Sequence, residues 1–161
     1  MAVKPTPDGY HSVTPYLLLQ DAAAALDFYQ KAFNATELFR LPTPDGKIGH
    51  AEIKVGNSPI MLADDCGTEG SWRNPKLAGG TSIGLHVYVE DVDGMFDRAL
   101  EAGAKVVRPV QDQFYGDRTG RLEDPFGHVW FLATHKEDLT PEEINRRAAE
   151  LFSQAGDREN G

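Results

Sequence analysis

One supersecondary unit is written twice in this sequence, about 70 residues apart, and that repetition limits the folds open to it. Tyr16-Leu17-Leu18-Leu19-Gln20-Asp21 and His86-Val87-Tyr88-Val89-Glu90-Asp91 are each an apolar, strand-like run stopped by an aspartate that opens a helical stretch. Those stretches end alike, at Phe33-Asn34-Ala35 and at Ala102-Gly103-Ala104. Downstream, Gly49-His50-Ala51-Glu52 matches Gly120-Arg121-Leu122-Glu123, and Ile60-Met61-Leu62-Ala63 matches Trp130-Phe131-Leu132-Ala133. Two copies of one unit predict a pseudo-two-fold arrangement with a site between them.

The first copy spans residues 12–64. Ser12 to Gln20 is apolar on both sides, as in a strand covered on both faces. Asp21 stands where an N-cap belongs, and Ala22, Ala25, Leu26, Tyr29 and Phe33 recur at helical spacing until Asn34, a residue at ease in a left-handed turn. Strands follow at Thr36–Leu41, Ile48–Val55 and Pro59–Ala63, separated by Pro-Asp-Gly and Gly-Asn turns, in the order βαβββ. Residues 65–81 lack periodicity and read as a linker. The second copy, 82–135, repeats the order with strands at Ser82–Val89, Lys105–Pro109, Arg118–Glu123 and His128–Thr134 and a helix at Val92–Ala102. Thr140-Pro141-Glu142-Glu143 supplies a cap, a first-turn proline and a capping-box glutamate for a C-terminal helix over 140–153, with Ile144, Ala148 and Leu151 as its apolar stripe. Residues 1–10 read as an irregular arm. The chain 1–161 is thus expected to be a single α+β domain.

Composition narrows the partners. With 25 acidic against 16 basic residues the formal charge is −9, which repels phosphate backbones and anionic lipid and argues against nucleic acid or membrane as the binding surface. Cys66 is the only cysteine, so no intrachain disulfide can form and a reducing compartment is expected. No run approaches the roughly 20 apolar residues of a membrane span, and no basic-then-apolar leader opens the sequence. The expectation is a cytoplasmic protein whose partner is a small molecule or another copy of itself.

Leu26-Asp27-Phe28-Tyr29-Gln30-Lys31-Ala32-Phe33-Asn34-Ala35, Gln111-Asp112-Gln113-Phe114-Tyr115-Gly116-Asp117-Arg118 and Asp124-Pro125-Phe126-Gly127-His128-Val129-Trp130 occur in the order found in one superfamily. Over residues 12–140 the chain resembles the vicinal oxygen chelate superfamily, also called the glyoxalase and bleomycin-resistance superfamily, and within it the PhnB-like branch. The resemblance implies paired βαβββ modules whose mixed sheets curl into a cup, in a homodimer. It also implies either metal-dependent isomerases, lyases and dioxygenases or metal-free proteins that sequester drugs, so the fold alone does not choose a function.

In metal-dependent relatives the ligands project from the first and last strands of each module. The matching positions here are Thr14, Met61, Gly84 and Phe131. A thioether, a phenyl ring and a bare glycine are unsuited to a divalent ion, so the reading is a cup without the family metal. Strand alternation then places Tyr16 with Thr14, His86 and Tyr88 with Gly84, and His50, Glu52 and Lys54 opposite a buried Ala51, Ile53 and Val55.

The candidate ligand-binding residues are accordingly Tyr16, His50, Glu52, His86, Tyr88, Tyr115, Arg121 and Phe131, with Glu52 and His86 as candidate catalytic groups. Each has a plainer alternative. His86 fits a hydrogen-bonded core histidine, His50 and Glu52 a polar face meeting solvent, Arg121 an ion pair with Glu123, and the Tyr115–Arg118 turn a structural latch. Trp130 reads as core and His128 as exposed and inert. The leading expectation is binding of a small organic ligand, with sequestration in the manner of drug resistance as one mode of action. The alternatives are a lyase, isomerase or dioxygenase holding zinc, nickel, iron or manganese on a displaced set such as His50, Glu52 and His86, and a ligand-free oligomerisation or regulatory module.

Overall fold

The computed structural model describes residues 2–67 and 70–159. Strand β1 (Tyr16–Leu19) passes into helix α1 (Ala22–Phe33) through Asp21, whose carboxylate accepts the Ala24 amide at 3.0 Å and caps the helix. Asn34 then takes the left-handed conformation, φ 55°, and frees the chain for β2 (Thr36–Pro42), β3 (Ile48–Val55) and β4 (Ser58–Asp64). The second module follows the same plan: β5 (Gly84–Tyr88), α3 (Val92–Ala102) capped by Asp91, β6 (Lys105–Asp112), β7 (Asp117–Glu123) and β8 (Val129–His135). Between them a four-residue helix, α2 (Pro75–Ala78), starts from Asn74 inside what the sequence presents as an aperiodic linker. Helix α4 (Pro141–Glu159) closes the chain, with the Thr140 hydroxyl accepting the Glu143 amide.

Each module builds its own mixed four-stranded sheet, β1-β4-β3-β2 and β5-β8-β7-β6, with one parallel pair in each, β1 with β4 and β5 with β8. The sheets stay open, and β1 meets the loop before β8, where the His128 ring bonds the Leu18 carbonyl at 2.9 Å. Helices α1 and α3 pack together beneath the two sheets. There Tyr29 and Phe33 of α1 meet Trp130 of β8, with ring centroids 5.2 and 4.5 Å apart, so the core is shared between modules.

The turn Asp-Pro-Phe-Gly-His owes its place to this core. Asp124 is buried and accepts the Tyr29 hydroxyl at 2.6 Å, the Trp130 indole at 2.9 Å and the amides of Phe126 and His128. A buried carboxylate is tolerable only with its lone pairs filled in this way. Burial and the adjacent Asp124 push the Tyr29 phenol well above its ordinary range, which keeps it a donor. In the first module Asp64, at the end of β4, is also buried and accepts Ala22 N at 2.8 Å and Ile48 N at 2.7 Å; its counterpart on β8 is Thr134, whose hydroxyl accepts Val92 N at 3.0 Å.

Several expectations shift. Strand β1 starts at Tyr16 rather than Ser12 because Pro15 has no N–H to donate; only its carbonyl reaches Met61 N, at 2.9 Å. Strand β6 runs past Pro109 to Asp112, since it is an edge strand with register shifts on either side of Arg108. Helix α4 extends beyond residue 153, and its stripe is only partly covered, Leu151 being 46% exposed. His128 is buried and bonded, not exposed and inert, because the loop before β8 folds it under β1.

The repeat also pairs differently from its sequence alignment. Met61 lies between Tyr16 and Glu52, whereas Phe131 lies between His86 and Arg121, so the spatial counterpart of Glu52 is Arg121 and not Glu123. The first module turns from β3 to β4 through Gly56 and Asn57 alone; the second uses Asp124–His128. A slip of two residues preserves the face, which is why the side-chain assignments survive it.

Candidate functional site

Alternation divides each sheet into a core side and an open side. On β3, Ala51, Ile53 and Val55 are buried against the helices while His50, Glu52 and Lys54 look away. The open side of the first sheet carries one row of Tyr16, Met61, Glu52 and Phe39 across β1, β4, β3 and β2. His50 lies two residues from Glu52, on the same face.

These side chains form a hydrogen-bonded chain. The Tyr16 hydroxyl lies 2.7 Å from His50 Nδ1, His50 Nε2 lies 3.0 Å from Glu52 Oε1, and the Tyr10 hydroxyl donates to the other oxygen of Glu52. Partners of this kind assign the tautomer: Nε2–H donates to the carboxylate and Nδ1 accepts from the phenol. Burial raises the Tyr16 pKa, which keeps that phenol protonated. Trp72 of the linker closes over the group, edge-on to Tyr16 with centroids 5.3 Å apart, while Phe39 stands 6.3 Å from the His50 ring. The linker is anchored by Asp65, which accepts Gly67 N and both the backbone and side-chain N–H of Asn74 and is held below the usual carboxylate range by them.

The second sheet presents a different chemistry from the same positions. His86, Phe131, Arg121 and Arg108 form its row. The His86 ring stacks on Phe131, 5.9 Å between centroids and 14° between planes, and the Arg121 guanidinium sits 4.2 Å from the centre of Phe131. Tyr88 stands 4.9 Å from His86 and donates to Asp117 at 2.8 Å. Asp117 also meets His135 Nδ1 at 2.7 Å. Tyr115 lies at the rim of this face, packed edge-on against Phe114.

The predicted residues thus fall into two sets. Tyr16, His50 and Glu52 come together on the first sheet; His86, Tyr88, Phe131 and Arg121 come together on the second, with Tyr115 beside them. His86 is exposed and stacked rather than a core histidine, because β5 is an edge strand whose alternate residues face outward. Arg121 has no ion pair with Glu123; its partner is the ring of Phe131. Arg118 is a latch: it grips Asp93 of α3 with two bonds of 2.8 Å and Asp112 at 3.1 Å. Sequence reading passes over Tyr10, Trp72, Phe39 and Arg108, the first two because they lie in aperiodic stretches where alternation gives no direction.

The donors do not suit the superfamily metal. Thr14 precedes β1, Met61 and Phe131 offer a thioether and a ring, and Gly84 offers nothing. The Phe131 ring fills the space beside Gly84, where an added Cβ would come within 2.5 Å of it. Among the described residues no group of three or more His, Cys, Asp and Glu is gathered closely enough to hold a metal ion. His50 and Glu52 touch, but His86 is on the other sheet.

Residues 10–132 match the Glyoxalase/Bleomycin resistance protein/Dioxygenase superfamily. The chain belongs to this superfamily. An uncharacterised protein of Mycobacterium bovis, Mb0911c, is 46% identical over 137 residues, covering 83% of this chain and 89% of its own length. Among solved structures, TioX from Micromonospora sp. ML1 is 27% identical with a TM-score of 0.61, covering 81% of this chain and 100% of TioX. The PhnB protein of Bacillus cereus shares the fold at 18% identity and a TM-score of 0.62, covering 77% of this chain and 99% of its own.

Proposed function

We propose that the protein binds a small organic molecule in a cup lined by the open sides of the two sheets and sequesters it without the superfamily metal. The observation that carries this reading is the pair of aromatic-walled faces left uncovered in a single chain. Tyr16, Trp72 and Phe39 surround His50 and Glu52 on one; on the other Phe131 carries Arg121, with His86 stacked on Phe131 and Tyr88 beside His86. Apolar walls with a few convergent polar groups suit an organic ligand. Every residue of β2 is exposed, including Leu38, Phe39 and Leu41 at 47%, 49% and 54%, and β6 adds Val106 and Val107. A second copy of the chain covering these strands belongs to the proposal, as does a cytoplasmic setting; among the described residues no helix is long and apolar enough to cross a membrane.

The test is elemental analysis of the purified protein, before and after chelation and incubation with zinc, nickel, iron and manganese, run beside a thermal-shift screen of small aromatic compounds. No retained metal and a ligand-induced rise in melting temperature are expected. One tightly held metal per site would overturn the metal-free reading.

The chain Tyr10–Glu52–His50–Tyr16 favours a second reading, an isomerase or lyase in which Glu52 takes a proton from a bound substrate and His50 orients it. Turnover lost in Glu52→Gln, with binding intact, would support that reading over sequestration.

A further inference from the structure

Arg108 and Arg121 stand directly opposite each other on β6 and β7. Like charges at opposed strand positions repel, and a carboxylate between them would relieve the repulsion. This chain has carboxylates to spare, with 25 acidic residues against 16 basic ones, and spends them freely on other arginines. Arg118, Arg146 and Arg147 each hold two. Among the described residues neither Arg108 nor Arg121 has a carboxylate within ion-pair distance, and Arg121 Nε is buried without a hydrogen-bond partner. Glu123 shares the face of Arg121 but lies opposite Lys105.

The surroundings are built to keep that charge in place. Phe131 holds the Arg121 guanidinium against its ring at 4.2 Å, and His86 stacks on the far side of Phe131. A cavity of about 260 Å³ opens over the two arginines, with Gln113, Tyr115 and Thr119 around it. None of these three side chains is engaged in a hydrogen bond within the described residues. The volume is that of a ligand headgroup rather than of a whole drug-sized molecule.

We infer that the second sheet carries an oxyanion subsite, Arg108 and Arg121 backed by Phe131, for the carboxylate or phosphate group of a small organic ligand. The inference rests on the cup-binding reading above and names the chemical class of its ligand. A planar guanidinium offers paired N–H donors to either group, and the second arginine removes the repulsion by sharing the anion. The apolar remainder of the ligand extends along His86 and Tyr88. The chain's overall negative charge makes the subsite selective: bulk anions are repelled, and an anion with an attached ring gains both the pair of arginines and the aromatic wall.

The test is isothermal titration with three probes that share one ring system: 1-naphthoate, 1-naphthyl phosphate and the uncharged 1-naphthalenemethanol. The wild type should bind at least one of the anions about tenfold or more tightly than the alcohol, as two charge-assisted hydrogen bonds would provide. The anion preferred tells carboxylate from phosphate. Arg121→Gln and the exposed Arg108→Gln should both lose the preference, read as the ratio of anion to alcohol affinity, and Arg121→Lys should recover part of it. Equal binding of all three probes, or a preference that survives both glutamine variants, would overturn the subsite and leave the cup reading standing. Failure of the wild type to bind any of the three would overturn the cup reading, and the subsite with it.

Discussion

The two modules share a scaffold and divide the chemistry. In the first, the row across the sheet is Tyr16, Met61, Glu52 and Phe39, with an acid–base chain roofed by Trp72. In the second, the same row reads His86, Phe131, Arg121 and Arg108, a cation held on aromatic rings. The core sides are far more alike. Both have an aspartate cap on the helix, a side chain on the last strand that accepts the helix's first amide (Asp64 for Ala22, Thr134 for Val92) and apolar residues at alternate strand positions. A duplicated unit keeps what folding requires on one face and is free to diverge on the other, because a substitution on the open side costs little packing.

The two buried aspartates sit at different places in their modules, and that difference is the sharpest to test. Asp124 satisfies four donors, two of them core side chains from different modules, whereas Asp64 satisfies two backbone amides. Urea denaturation of Asp124→Ala should show a loss of about 4 kcal/mol and Asp64→Ala about half of that, since each stranded buried donor costs about 1–3 kcal/mol and the losses overlap. Equal losses would mean that the two side-chain donors to Asp124 add nothing to its anchoring. Trp72→Ala should lower stability by about 1 kcal/mol and weaken binding of aromatic ligands, for it covers Tyr16 from the linker. A smaller effect is expected from Glu52→Gln. Stability should change by less than about 1 kcal/mol, and nitrogen-detected NMR of His50 should lose the Nε2–H pattern that the carboxylate imposes.

The smallest effect is a pH dependence confined to the second module. Hydrogen bonds that the His135 ring donates to Asp117 and then Asp138 raise its pKa above the ordinary value of 6.5. A raised folded-state value means that protonated His135 stabilises the fold fully below about pH 6.5 and that the contribution fades as pH rises through the raised value. His135→Gln should flatten the melting profile across that window; an unchanged profile would remove His135 from the account.

The fold was legible because its signals are local and doubled. Asp21 and Asp91 cap, Asn34 and Gly103 terminate, and alternation on β3 puts Ala51, Ile53 and Val55 inside without any knowledge of the partner strand. The site was legible by face but not by neighbour. Tyr16, His50 and Glu52 could be assigned to one surface, yet their hydrogen-bonded order depends on register, and Tyr10 and Trp72 arrive from stretches with no period to read. The alignment of Glu52 with Glu123 failed because the turn before β8 is longer than the one before β4, a difference that shifts pairing by two residues and hides the opposition of glutamate and arginine. His128 and Trp130 differ in the same way: an apolar residue in a strand announces burial, whereas a histidine buried by a single bond to a distant carbonyl does not.

The central claim is that the open sides of the two sheets are the ligand surface. Its most direct test is a nitrogen-15 NMR titration of the labelled protein with 1-naphthoate. Shift changes should gather at the amides of Tyr16, Glu52, His86, Arg121 and Phe131 and at the Trp72 indole. Changes confined to α1, α3 or α4, or none at saturating concentration, would contradict the account.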